Sequence, residues 1–296
     1  MNNKQIVGIG EVLWDMLPDG KQLGGAPANF AYHAKSLTGR GYPVSSIGKD
    51  KLGDEIIQSF INRCLSNTYI QKKDRYPTGT VDVELDNEGV PEYVIKENVA
   101  WDNISYTGKL DDLAAETDAV CFGTLAQRSE NSRHTIHSFV QKISDEAYKI
   151  LDINLRKPFY NSQIVKQSIE IANILKLNQE ELDIVADYTG ISGNEDKILS
   201  KLIDEYDLKL IALTKGGQGS KLINNNYNNF IQAPDVTVKD TVGAGDSFTA
   251  ALVAGLLQDM KLLKIHKFAS ELAAYVCTQK GAMPPIKQSL INKFLN

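Results

Sequence analysis

Apolar residues recur along this chain in two rhythms. One is the short, nearly continuous run: IVGIG (6–10), DAVCFGT (118–124), YKILDIN (148–154), ILKLN (174–178) and LKLIALT (208–214). Runs of this length, without polar alternation, predict strands buried on both faces. A shorter one is expected at 43–47. The other rhythm has helical spacing. Residues 28–37 carry Phe30, Ala31, Ala34 and Leu37, and residues 53–64 set Ile56, Ile57, Phe60 and Ile61 on one face. Further helices are predicted over 131–143, 162–172, 180–187 and 197–205, and two more, about 244–258 and 261–279, finish the chain. Strands alternating with helices predict a mostly parallel central sheet covered on both sides, an α/β/α sandwich.

Two stretches have a different texture. Residues 80–95, TVDVELDNEGVPEYVI, alternate polar and apolar around Asp86-Asn87-Glu88-Gly89, which predicts a hairpin exposed on one face. Residues 220–233 predict a second hairpin turning at 224–226. Repeats, linkers and low-complexity segments are absent from the sequence. The 296 residues fit one large α/β domain, 1–296, with a small β excursion from the first hundred residues.

Composition narrows the function classes. The net charge of −5 offers no footprint for nucleic acid. The densest basic cluster, Lys72, Lys73 and Arg75, is expected in a solvated loop. Cys64, Cys121 and Cys277 lie far apart, without metal-ligand or redox spacing, which suits a reducing compartment. His134 and His137 are expected on a helix surface. With no charged leader and no membrane-length apolar run, a soluble cytoplasmic protein is expected.

Candidate chemistry collects where the strands end, the place where open parallel sheets bind ligands. In DTVGAGDSF (240–248), Gly243, Ala244 and Gly245 leave the backbone bare at a helix start, where N–H groups can cradle an anion. Asp246 would stand in the first turn, either as an ordinary acidic helix start or as a group with chemistry to do. A helix N-terminus should lower its pKa and make it a weak base. GGAPAN (24–29) offers Gly24 and Gly25 for close approach and Asn29 as donor and acceptor for hydroxyls, or a plain glycine turn before a helix. Asp15, expected just after a strand, can accept two hydroxyl bonds or be a surface aspartate. In DINLR (152–156), Arg156 can bind an anion or form a structural ion pair, and Asn154 points to the same edge if the strand alternates. Asn178 and Glu181 in LNQEE can hold Mg²⁺ through water, and Asn178 can also cap the helix that follows. Thr214, Gly216 and Gly219 in LTKGGQGS suit nucleotide contacts or a tight turn. No Walker A sequence occurs.

Taken together, GGAPAN and DTVGAGDSF resemble the two signature regions of the ribokinase-like carbohydrate kinases. GEVLWDMLP (10–18), NQEE and the late KGA (280–282) fall in the family's order, so the likeness covers nearly the whole chain. The resemblance implies the family's largely parallel sheet flanked by helices, with a β lid from segments around 11–24 and 78–100. It implies phosphorylation of a sugar hydroxyl by ATP with Mg²⁺, Asp246 being the base and Gly243, Ala244 and Gly245 the anion hole. Asp15, Gly24, Gly25, Asn29, Asn154 and Arg156 would bind sugar. Asn178, Thr214, Gly216, Gly219, Gly243 and Gly245 would serve nucleotide, and Asn178 and Glu181 the Mg²⁺. Some branches respond to K⁺, and Asp240 lies where that cation is expected. The fructokinase branch looks most similar, with D-fructose 6-phosphate as the expected product. Alternatives are a 2-keto-3-deoxygluconate kinase, a ribokinase, or a catalytically silent sugar-responsive regulator. Lys215 departs from the small or apolar residue that relatives often carry before the glycine. Sugar and ATP are the expected ligands, and the exposed lid edges could pair two copies into a homodimer.

Overall fold

The apolar runs pair because each has two faces to bury and a backbone that must be hydrogen-bonded. The computed structural model describes residues 4–18, 20–85 and 91–295. The chain opens with β1 (Gln5–Ile9), β2 (Leu13–Leu17), β3 (Gly20–Gly24), α1 (Ala26–Thr38), β4 (Tyr42–Gly48), α2 (Lys51–Asn62), β5 (Tyr69–Lys73), β6 (Gly79–Leu85) and β7 (Pro91–Ile95). It continues with α3 (Gly108–Glu116), β8 (Thr117–Phe122), α4 (Glu130–Lys142), β9 (Tyr148–Asp152), α5 (Ser162–Glu170), β10 (Ile174–Asn178), α6 (Gln179–Thr189), α7 (Glu195–Tyr206) and β11 (Leu210–Thr214). The β12 (Ser220–Asn224) and β13 (Tyr227–Ile231) hairpin, then α8 (Ala244–Leu256), α9 (Leu262–Cys277) and α10 (Gln288–Leu295), complete it.

A nine-stranded sheet has the order β13-β12-β11-β10-β9-β8-β1-β4-β5. All pairings from β11 to β5 are parallel, and the β12–β13 hairpin adds an antiparallel edge. Residues alternate between the two faces, and the core divides accordingly. Val7, Ile9, Val120, Leu151, Leu175 and Ile211 face one apolar layer with Phe139, Leu182 and Leu199 of α4, α6 and α7. Ile6, Ala119, Ile150, Ile174 and Leu210 face the other, with Phe30 of α1, Leu252 of α8 and Leu272 of α9. This is the α/β/α sandwich expected. On the first side, Arg128 joins the core by stacking 4.0 Å from the Trp101 ring centre and making a two-pronged pair with Asp102 at 2.8 and 2.9 Å.

A second, four-stranded sheet has the order β3-β2-β6-β7. The β2–β3 and β6–β7 pairs are antiparallel and join through parallel β2–β6 pairing, with Asp15 opposite Val81. The expected turn at residues 86–89 lies outside the described residues.

Several expectations are corrected. Asp15 sits inside β2 rather than after a strand. Lys72 and Lys73 are not in a loop but in β5, an edge strand carried mainly by its pairing with β4. The strand predicted over 148–154 stops at Asp152, and Asn154 has φ of 42°, so it does not continue the alternation. Helices α3 and α10 were not anticipated. His137 is half-buried rather than on the open surface, with Nε2 3.0 Å from Gln127 Oε1.

Candidate active site

The site grows from the start of α8. Gly243 caps it with φ of 79°, a left-handed turn that costs glycine nothing. A Cβ there would lie 2.5 Å from the Ala282 carbonyl oxygen, so the 281–283 segment closes against bare backbone. His33, buried in α1, holds that segment with Nε2 2.9 Å from the same oxygen. Of the three N–H groups at 243–245, that of Ala244 turns back to Thr241 O at a long 3.3 Å.

Asp246 follows in the first turn of α8, its carboxyl turned inward. Asn29 Nδ2 donates to Asp246 Oδ2 at 2.8 Å. Asn29 reaches it because Gly25, with φ of 110°, starts α1 just before Ala26 and swings the first turn of α1 toward α8. The expected acidification of Asp246 is corrected here. Its pKa is raised from 3.8 to about 7, first by burial and then by the negative charge of Asp152, with Glu11 adding to both. The Asn29 hydrogen bond and the Lys176 ammonium oppose this but do not outweigh it. Loss of hydration and the neighbouring carboxylate set the direction.

Beneath Asp246 lies a charge network absent from the expectations. Asp152 and Lys176 are partners in the β9–β10 register, and Lys176 Nζ donates to Asp152 Oδ1 at 2.9 Å. Thr249 Oγ1, one turn along α8 from Asp246, donates to the other Asp152 oxygen at 2.9 Å. Burial works against the ammonium, but Asp152, Glu181 and Asp246 hold its pKa above the ordinary lysine value. A lysine amid the apolar ILKLN is the signal that could have found this pair, since a charge inside a two-faced strand needs a buried partner.

Glu11 was also missed. It is 3% exposed, its Oε2 has no partner, and burial raises its pKa against the pull of the Glu11 and Ala26 backbone N–H groups. Its signal was a carboxylate at the end of the first buried strand.

These groups meet in one cavity of about 700 Å³ between the two sheets. Of the expected sugar residues, Asp15, Gly24, Gly25, Asn29, Asn154 and Arg156 line it, together with Gly243, Gly245, Asp246 and Asp240. Gly24 makes room for Asp15, whose Oδ2 would sit 2.5 Å from a Cβ there. Burial raises the Asp15 pKa to about 6, with Arg156 opposing and Asp240 adding to it. Arg156 is exposed and donates to Leu155 O. Asp240 accepts from the N–H groups of Val242 and Gly281, at 3.0 and 2.9 Å.

Of the expected nucleotide residues, Gly243 and Gly245 line the cavity, whereas Asn178, Thr214, Gly216 and Gly219 lie outside its wall. Asn178 ends β10 and pairs with Thr214 at the end of β11. Asn178 Oδ1 accepts from Glu181 N and Glu181 Oε2 accepts from Asn178 N, a reciprocal cap on α6, while Glu181 Oε1 accepts from Leu155 N. All three of these oxygens already accept an N–H, which favours a Mg²⁺ held through its own waters over one ligated directly. Among the described residues, no group of three or more His, Cys, Asp or Glu side chains is arranged to hold a metal. Gly216 and Gly219 shape the turn into β12. A Cβ on Gly219 would lie 2.1 Å from Ile231 O.

A bare-backbone helix start, a half-buried carboxyl whose pKa is raised to about 7, and a polar cavity at the strand ends meet at one end of an α/β fold, the arrangement of an enzyme site. The family model of pfkB carbohydrate kinases matches residues 19–289, and the chain belongs to that family. A Pyrococcus horikoshii chain described as an uncharacterized sugar kinase is 30% identical, over 97% of this chain and 94% of that one. Its structure in complex with ATP superposes with a TM-score of 0.82 at 28% identity, covering 98% and 99% of the two chains. The fructokinase of Escherichia coli is 25% identical, over 95% of this chain and 96% of its own. A Vibrio cholerae fructokinase with fructose, ADP and calcium ion bound gives a TM-score of 0.81 at 25% identity, with 99% of each chain covered. The protein is therefore a carbohydrate kinase. No described helix is long and apolar enough to cross a membrane.

Proposed function

We propose that the chain transfers the γ-phosphoryl group of ATP to the 6-hydroxyl of D-fructose. The observation that carries this is Asp246, held by Asn29 at the start of α8 on the floor of the acidic cavity. With a pKa of about 7 it is substantially ionised at neutral pH, yet basic enough to take a hydroxyl proton. Asn29 orients the carboxylate. The backbone at 243–245 faces the phosphoryl oxygens, and the proton passes from the sugar hydroxyl to Asp246 as the new O–P bond forms. Mg²⁺ bound with ATP would offset charge on the phosphates, with Asn178 and Glu181 holding its waters. Asp240 is the proposed K⁺ ligand, and Thr214, Gly216 and Gly219 are proposed to border the nucleotide.

The four-stranded sheet is proposed as the lid that excludes water over the sugar. Glu11, Asp15, Asp240 and Asp246 around the cavity favour a neutral polyol over an acidic sugar, because a substrate carboxylate would meet like charge. Arg156 supports the second reading, 2-keto-3-deoxygluconate, whose carboxylate it could bind. A homodimer through the outer edges of the lid, in the cytoplasm, completes the proposal, and light scattering on the purified protein tests the dimer.

The function test is ADP release with Mg-ATP against fructose, glucose, mannose, ribose, adenosine and 2-keto-3-deoxygluconate. Fructose is expected to give the highest kcat/KM, with Asp246→Asn nearly silent. Preference for ketodeoxygluconate would overturn the fructose assignment, and near-full turnover by Asp246→Asn would overturn the base. Saturable sugar binding without turnover by the wild type would make the protein a silent regulator.

A further inference from the structure

Gly245 has ordinary helical backbone, so its conformation does not demand glycine, and glycine inside a helix costs about 1 kcal/mol relative to alanine. Its bare Cα is instead where a lysine end comes close. A Cβ on Gly245 would lie 2.9 Å from Lys176 Nζ. The ammonium therefore rests directly against the bare backbone that is proposed to cradle the phosphoryl group, and any side chain at 245 would push it away. Lys176 also borders the cavity.

The partners of Lys176 leave it capacity. An ammonium has three protons to donate, and Asp152 Oδ1 takes one. Asp152 Oδ2 lies 2.9 Å from Thr249 Oγ1, whose single proton is shared between it and Gly245 O at 3.0 Å. The cavity otherwise collects the carboxyls Glu11, Asp15, Asp240 and Asp246, while the cations Arg156 and Lys157 both stand at its exposed rim. A phosphoryl group entering that surround needs a cation placed at depth, and Lys176 is the buried one beside the cradle.

The geometry points to Lys176 as a further catalytic residue, donating from Nζ to an oxygen of the phosphoryl group in transfer. This rests on the reading of residues 243–245 as the phosphoryl cradle. The bond between Pγ and the β,γ-bridging oxygen of ATP breaks as the sugar oxygen bonds to Pγ. The bonding pair leaves with ADP, the hydroxyl proton passes to Asp246, and Lys176 keeps its protons throughout. Asp152 holds the ammonium in place, and Thr249 holds Asp152.

A purely structural lysine would merely neutralise Asp152, and paired substitutions separate the two roles. Lys176→Met alone leaves Asp152 buried without its cation, whereas Asp152→Asn with Lys176→Met removes both charges and restores a neutral core. Steady-state kinetics on the best sugar, melting temperatures, and binding of ADP with aluminium fluoride and sugar are measured for wild type and both variants. Both variants are expected to lose about 100-fold or more in kcat, the scale for losing one transition-state donor, with KM for sugar and ATP changed less than about threefold. Binding of ADP alone should hold while binding of ADP with aluminium fluoride weakens. Return of the double variant to within about threefold of wild-type kcat would overturn the proposal and leave the kinase reading intact. A wild type silent on every sugar would overturn both.

Discussion

Replacing Asp246 with asparagine should cost the reaction and stabilise the fold, by an amount set by pH. The Asp246 pKa in the folded protein is raised from 3.8 to about 7. A raised carboxyl contributes its full stability only below its unfolded value, near 4, and that contribution is lost as pH rises through about 7. Asparagine has no charge to bury and can still accept from Asn29. Its advantage over wild type should therefore be near zero below pH 4, widen as pH rises, and level off above about 7. At about 1.4 kcal/mol for each tenfold change in acidity, the plateau corresponds to at most about 4 kcal/mol. Water in the cavity relaxes the charge, which brings the expected gain to on the order of 2 kcal/mol. For a protein of this size that is a rise in melting temperature of roughly 5 °C. Calorimetry on both proteins from pH 4 to 8.5, without ligand, reads it directly. The activity of the wild type should run the opposite way, with kcat/KM for the sugar falling about tenfold per pH unit below about 7. Melting curves that stay parallel across that range, or kcat/KM flat down to pH 5, would refute the assignment of burial as the force that sets this carboxyl.

Other outcomes follow from the same geometry. Asn29→Ala removes a hydrogen bond that favours the ionised Asp246, so the acid limb of kcat/KM should move to higher pH, and an unmoved limb would show the bond to be incidental. Gly243→Ala places a Cβ 2.5 Å from Ala282 O at a positive φ, so kcat should fall about 10²-fold as the start of α8 shifts, with strain of about 1–2 kcal/mol visible in the melting temperature. Arg128→Ala strands Asp102 in the core and removes a cation from between Trp101 and Phe159, so denaturant titration should show a loss of about 3–5 kcal/mol, and less than 1 would show water reaching Asp102.

The parts of this molecule that could be read from sequence are those in which one local rule decides. Buried parallel strands announce themselves as apolar runs, and α8 begins where its glycines allow. Strand β5 did not show because YIQKK lies at an edge and has little apolar area to bury, so its place is decided by pairing with β4. Helix α3 runs straight into β8 without a turn signal between them, and α10 follows a proline-containing stretch that hides its register. At the site, the glycines, Asp15, Asn29 and Asp246 could be picked out because short segments carry them. The lysine within ILKLN signalled a buried partner, but that the partner is Asp152, and the raised pKa of Asp246, could not be read, because each depends on residues far apart in sequence whose distance only the sheet register fixes. The helix-end rule gave the wrong direction for Asp246 because it omits the water the fold removes.

The cavity is walled by two different stretches of chain. Asp15, Gly24 and Asn29 come from the first thirty residues, with Val81 and Ile95 above them, whereas Asp152, Lys176, Gly243 and Asp246 come from the later half. The β2–β3 and β6–β7 hairpins leave and rejoin the main sheet as short detours. Under the proposed roles, acceptor choice would be open to transplantation between homologues as two brief cassettes that leave Asn29 and the groups of the later half in place. A chimera carrying foreign residues 12–24 and 78–96 should change which polyol it prefers before it changes how it handles ATP.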